Sequence, residues 1–216
     1  MSAATGTRAA SADPLVLGVL VSGSGTNLQA IIDEIEAGRL NARIAVVISD
    51  RGQAYGLERA KRHGIDAVFI DPERFSGSGA QGFNKAVLGE LASRKVELVV
   101  LAGYMRLLGA SVLDRFPDRV VNLHPALLPS FAGAHGIKDA FEYGVKVTGV
   151  TVHFANEVFD EGPIIAQEPV RITEGDTVES LEAKIHEVEH RLYPRVIKQI
   201  AEGKVSVCEG RVRISE

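Results

Sequence analysis

Continuous apolar runs alternate with amphipathic stretches along most of this chain. Leu15-Val-Leu-Gly-Val-Leu-Val21, Ile44-Ala-Val-Val-Ile48 and Leu98-Val-Val-Leu101 have the continuous apolar character of buried strands, Ala67-Val-Phe-Ile70 reads as a short strand, and Val120-Val-Asn-Leu123 as the end of a buried one. Between them, Leu28, Ile31, Ile32 and Ile35 recur at helical spacing and stop near Gly38. A second helix is expected from about Ala54 to His63, ended by Gly64, and a third from about Phe83 to Arg94. Asp71 to Gly82, rich in Gly and Ser, reads as a surface loop bordering a site. Such alternation demands a parallel sheet.

The pattern changes past Val120. A helix over Ile137 to Tyr143 precedes Val147-Thr-Gly-Val-Thr-Val-His-Phe154, which alternates and is rich in β-branched residues. Phe159-Asp-Glu-Gly-Pro163 turns the chain, and Ile164 to Val170 returns as an antiparallel partner. Thr177, with Glu179 and Ser180, opens a long helix carrying Leu181, Ile185, Val188, Leu192, Val196 and Ile200, with a kink expected at Pro194. A small hairpin around Glu209-Gly210 follows. The predicted class is α/β: a Rossmann-like, mostly parallel sheet with helices on both faces and a C-terminal antiparallel extension.

Composition narrows the partners. At 216 residues the chain can bury a full core as one large domain or two small ones. Its net charge of −4 has both signs interspersed, against the basic face that nucleic acid or an anionic membrane needs, while leaving room for a local anion site. The single cysteine, Cys208, rules out an internal disulfide and a cysteine-rich metal site, and fits the reducing cytoplasm. The first thirteen residues are small and polar, without the apolar core of a secretory signal, and read as a disordered tail. No apolar run approaches the roughly 18 residues of a membrane span.

Chemistry concentrates at strand ends. Ser22-Gly-Ser-Gly-Thr-Asn27 joins the first strand directly to a helix, and such a junction offers unpaired N–H groups and the positive end of a helix dipole to an anion. A phosphate site and a merely tight turn both fit, and neither the Walker nor the Rossmann glycine pattern is matched. In Val120-Val-Asn-Leu-His-Pro-Ala-Leu-Leu-Pro129 the prolines take the chain out of the sheet, and Asn122 and His124, two apart, share one face beyond the strand end. They form either a cleft pair of donor amide and titratable imidazole or a structural turn. Ala102-Gly-Tyr-Met-Arg-Leu-Leu108 is apolar without turn chemistry, as a small-molecule pocket or plain core would be. His186, Glu189 and His190 fall within about one helical turn, where a solvated face or a substrate hydrogen bond competes with a metal site.

Taken together, Ser22-Gly-Ser-Gly-Thr-Asn-Leu-Gln-Ala-Ile-Ile32, Leu101-Ala-Gly-Tyr-Met-Arg106, Asn122-Leu-His-Pro-Ala-Leu-Leu-Pro129, Thr151-Val-His-Phe154 and Asp160-Glu-Gly-Pro163 carry a resemblance to the glycinamide ribonucleotide transformylase family. These are the folate-dependent phosphoribosylglycinamide formyltransferases, and the likeness runs from Leu15 to about Lys204. It implies one formyltransferase domain over residues 14–216 and transfer of a formyl group from 10-formyltetrahydrofolate, a co-substrate, to the glycinamide amine, with no metal required. Small molecules would be the partners, with a homodimer left open. Asn122, His124 and Asp160 match the family's catalytic trio. Gly25, Thr26 and Asn27 would hold the ribonucleotide phosphate, and His186 and Glu189 would contact the same substrate. Met105, Arg106, Leu107 and Leu108 would enclose the pterin together with Asn122 and the segment Ala155, Asn156, Glu157, Val158, Phe159 and Asp160. Gly136 and Ile137 depart from the polar residues common in the family, and no arginine stands between Ser76 and Gly82 to meet the folate tail.

The groups themselves suit that reaction. Amine attack on a formyl carbon develops negative charge on oxygen, which Asn122 and His124 could meet as donors, while a nearby Asp160 would favour the charged imidazole and accept a proton through water. No motif for an activated serine or cysteine is present. Two relatives would use a similar trio: a formyltetrahydrofolate deformylase acting on water, and methionyl-tRNA formyltransferase. Both usually carry a further module, whereas only the short polar segment precedes Leu15. A nucleotide-binding or sensory module without catalysis is the alternative from another class.

Overall fold

The computed structural model describes residues 13–77 and 79–215. The expected N-terminal tail therefore lies, apart from Asp13, outside the described residues. Strands β1 (Leu15–Val21), β2 (Ala42–Ser49), β3 (Ala67–Phe69), β4 (Leu98–Leu101), β5 (Val120–His124), β6 (Val147–Phe154) and β7 (Ile164–Arg171) form one sheet in the order β3-β2-β1-β4-β5-β6-β7. The pairs from β3 through β5 are parallel, and β6 and β7 add antiparallel. Helices α1 (Thr26–Glu36), α2 (Tyr55–Arg62), α3 (Gly79–Ser93), α4 (Ala110–Leu113), α5 (Gly136–Tyr143) and α6 (Val178–Ala201) cover it, and β8 (Val205–Cys208) pairs with β9 (Arg211–Ile214) in a separate hairpin.

Burial on two faces explains the apolar runs. Leu17, Val19 and Val21 of β1 join the core under α1, α2 and α6, whereas Leu20 joins the core under α3 and α4. Gly18 lets α3 approach: a Cβ there would come within 2.4 Å of Leu91 Cδ2. After β3 the chain crosses back to place β4 beside β1, so the segments leaving these two strands diverge to opposite faces. The crevice outside their carboxyl ends is the topological switch point of the sheet.

One local expectation is corrected. The loop from Asp71 to Gly82 is shorter than composition suggested: the Asp71 carboxylate accepts from the Glu73 N–H at 3.0 Å to cap a 3-10 turn over Pro72–Phe75, and α3 already starts at Gly79. Glycines there mask a helix that Phe83, Val87 and Leu91 anchor in the core. The short α4, with Val112 buried, was not anticipated at all. Helix α6 continues through Pro194, because Leu192, Tyr193, Val196 and Ile197 around it are fully buried and packing outweighs the lost N–H bond. Its start follows expectation, with Thr177 and Ser180 forming reciprocal cap bonds of 3.2 and 2.9 Å.

Candidate active site

The first half of the site is a backbone turn. Gly25 caps α1 in the left-handed conformation, φ 69°, and no side chain occupies the helix start, so the leading N–H groups and the dipole face outward. A Cβ on Gly25 would stand 2.7 Å from Gly56 Cα, which shows how closely this turn lies on α2. The Gly56 N–H donates to Gly23 O at 3.1 Å, and Arg59 Nε donates to Ser24 O at 2.8 Å. Thr26 opens the helix, and Asn27, buried behind it, donates through Nδ2 to Glu189 Oε2 at 3.0 Å. Asn27 Oδ1 is buried with no protein partner among the described residues.

Helix α6 brings the other charged groups here. Glu189 is only 3% exposed, so it does not belong to a solvated face. The oxygen that receives Asn27 lies 2.8 Å from His186 Nδ1. That hydrogen bond raises the His186 pKa against the opposing effect of burial, while burial lowers that of His190, whose ring stacks on His186 at 6.0 Å between centroids. Among the described residues no group of three or more His, Cys, Asp or Glu is arranged to hold a metal ion.

The second half is built from side chains converging from distant segments. β5 carries Asn122 and His124, and the turn after β6 brings Asp160 to them in a left-handed conformation, φ 60°. His124 Nδ1 lies 3.3 Å from Asp160 Oδ2, and its Nε2 faces the carbonyl of Phe131 at 2.8 Å. Both ring nitrogens thus face oxygen atoms, one of a carboxylate and one of a backbone carbonyl. Asn122 Nδ2 reaches Asp160 Oδ1 at 3.4 Å and His153 Nε2 at 3.2 Å. The Gly133 N–H donates to Asp160 Oδ2 at 2.9 Å, so the segment after Pro129 closes on both histidine and carboxylate. Burial works against the Asp160 charge, yet the close approach of His153, the hydrogen bond from the Gly133 N–H and the field of both histidines hold its pKa below the usual carboxylate range. Gly162 makes the turn possible, since a Cβ there would fall 1.7 Å from Phe154 O.

The apolar loop and the Asp160 turn face each other. Arg106, Leu107, Leu108, Ala155, Asn156, Val158, Phe159 and Asp160 line a cavity with Asn122, Tyr104, Leu101 and His153, whereas Met105 and Glu157 stand outside its lining. The space is about 30 Å³, roughly one water. Met105, Leu107, Val158 and Phe159 around it are exposed and not locked into the core. A larger groove bounded by Lys95, Glu97, Arg115 and Arg119 lies at the amino ends of β4 and β5, away from all of these groups.

Two residues of the site were not singled out from the sequence. His153 is buried on β6, its Nδ1 2.9 Å from Phe154 O and its Nε2 toward Asn122 and Asp160. In the sequence it entered only within the motif Thr151-Val-His-Phe154, with no role of its own beyond an alternate position of a strand. Tyr193 is fully buried on α6, its hydroxyl 3.1 Å from Leu101 O and 2.9 Å from Val121 O, directly behind Asn122. Its helical spacing marks it as core, and nothing local signals the hydroxyl's role.

A family profile described as Formyl transferase matches residues 16–197 of this chain. The chain belongs to the formyl transferase family. This formyl transferase is 41% identical over 182 residues to a phosphoribosylglycinamide formyltransferase of Bacillus subtilis, covering 84% of the chain and 92% of that protein. Its fold superposes on a crystal structure of glycinamide ribonucleotide transformylase 1 from Symbiobacterium toebii with a TM-score of 0.92 and 48% identity, over 98% of this chain and 100% of that one. A formyltetrahydrofolate deformylase from Pseudomonas syringae is also similar, with a TM-score of 0.87 and 26% identity over 95% of this chain and 67% of that chain. The resemblance read from the motifs and the α/β class are both borne out.

Proposed function

We propose that this formyl transferase, acting as a single domain over residues 14–216, moves the formyl group of 10-formyltetrahydrofolate to the amine of glycinamide ribonucleotide in de novo purine synthesis. The single observation that carries this is that α6 ties the uncapped helix start at Gly25 to the Asn122, His124 and Asp160 group, through Glu189 bonded to Asn27 and Tyr193 bonded to Val121 O beside Asn122. An anion site next to a carbonyl-polarising site suits a phosphorylated amine and a formyl donor held side by side.

In this reading the N–H groups of Gly25, Thr26 and Asn27 take the phosphate, and Glu189 and His186 contact the rest of the ribonucleotide. The loop from Met105 to Leu108 and the segment from Ala155 to Asp160 part to admit the pterin, because the present space is too small for a bicyclic ring. Asn122 exchanges its long bonds to His153 and Asp160 for the formyl oxygen, and His124 exchanges Phe131 O for the same charge. Asp160 sustains the imidazolium and takes the amine proton through water. The amine attacks the formyl carbon directly, without a covalent enzyme intermediate; the tetrahedral centre collapses as its bond to folate N10 breaks, and the proton taken up at Asp160 passes through water to that nitrogen as tetrahydrofolate leaves. The reading requires no metal and a cytoplasmic setting, and among the described residues no helix is long and apolar enough to cross a membrane.

The test is tetrahydrofolate release from 10-formyltetrahydrofolate with and without glycinamide ribonucleotide. Release that depends on the ribonucleotide, at one formylated product per turnover, is expected. Release without it would replace this reading with a deformylase.

A further inference from the structure

We infer that Ser22 is a positioning residue for the loop from Ala102 to Leu108, so that the turn leading to the anion site and the loop over the pterin space share one hydroxyl. The inference deepens the proposed function and rests on its assignment of the folate to that loop.

Ser22 is 3% exposed and immediately follows β1. Its Oγ lies 2.6 Å from Asp50 Oδ1, and the Met105 N–H points at it from 3.0 Å. The polarity of this relay is fixed by its partners. A carboxylate only accepts and an amide N–H only donates, so the serine proton goes to Asp50 and a lone pair receives Met105. The short bond to a charged acceptor polarises the hydroxyl and makes it a better acceptor for the amide. The Ser22 N–H adds a bond of 3.1 Å to Gly103 O.

Two side chains thus pin this loop by its backbone. Ser22 receives Met105 N at one point, and Asn84 Oδ1 receives Gly109 N at 3.0 Å at the other. Between the pins, Leu107 is exposed and Arg106 lies over the Phe83 ring at 5.0 Å. Without the Ser22 hydroxyl the Met105 amide loses its acceptor and Asp50 loses a donor, while the Gly25 turn keeps its bonds to Gly56 and Arg59. The residue next to the phosphate turn in sequence therefore acts on the other substrate.

Ser22→Ala is expected to raise KM for 10-formyltetrahydrofolate about tenfold, the scale of one interior hydrogen bond, and to leave KM for the ribonucleotide within about twofold. Equal rises in both, or an unchanged folate KM, would overturn the inference, because a merely structural serine would not separate the two substrates. Amide exchange on the unsubstituted protein tests the bond should the variant fail to fold. Slow exchange at Met105 relative to Leu107 is expected, and fast exchange at Met105 overturns the inference. Titration of the same protein with 10-formyltetrahydrofolate, followed by NMR, separates the two failures. Shifts at residues 105–108 with an unprotected Met105 amide would end the Ser22 role alone, and no shifts there would end the folate assignment.

Discussion

The two halves of this site are built on opposite principles. The turn from Ser22 to Asn27 is contiguous, made of backbone, and ready as soon as a strand runs into a helix through Gly25. The centre around His124 is made of side chains: Asn122 and His124 from a parallel strand, His153 from an antiparallel one, Asp160 from the turn beyond it. Backbone donors need only local geometry to be correct. A cluster of ionisable groups also needs a buried setting in which each charge finds its partner, and that setting comes from the whole sheet. Substitutions should therefore separate the halves by which kinetic constant they move.

The largest effect is expected at the side-chain centre. His124→Ala should lose about 10² or more in kcat while both substrates still bind, since a donor to the developing oxyanion disappears from an intact cleft. Steady-state kinetics beside binding titrations measure this, and near-normal turnover in a folded variant would remove His124 from the chemistry. An intermediate effect is expected at the backbone half. Gly25→Ala forces a side chain into a left-handed turn and against Gly56 Cα, so KM for the ribonucleotide should rise about tenfold with folate affinity nearly constant. Parallel loss of both affinities would show that the turn supports the fold rather than one ligand.

The smallest effect is one of stability. Asp160 has a depressed folded-state pKa despite its burial, so its contribution is fully present above the unfolded carboxylate value, about 3.9, and is lost as pH falls through the lower folded value. Denaturant midpoints of the parent and of Asp160→Asn should differ at pH 7 and draw together as the pH falls below the unfolded carboxylate value of about 3.9. A difference that does not change with pH would mean that shape, and not charge, holds Asp160 in place.

This contrast also explains what could be read in advance. Leu15 to Val21 followed by a Gly-rich turn announces its strand and its helix within one window of sequence. Asn122 and His124 could be paired because two residues in a strand share a face. Asp160 could not: its neighbours say only that the chain turns, and its place came from the family resemblance. Spacing alone could not separate Glu189 from a solvated helix face, because its partner, Asn27, is invisible at the level of helical periodicity. The start of α3 was hidden for a different reason. Its first turn is held by tertiary anchoring of Phe83 and by Asn84 donating to Ala80 O at 2.7 Å, which overrides the composition of Gly79 to Gly82.

The bond between Asn27 and Glu189 spans 162 residues of chain. At a synthesis rate of roughly 5–20 residues per second, the α1 start leaves the ribosome some ten to thirty seconds before its carboxylate partner exists. Throughout that interval the Asn27 amide, later buried, must be served by water or by a transient neighbour. The nascent chain therefore carries the Gly25 turn well before it carries the carboxylate that Asn27 meets in the folded protein.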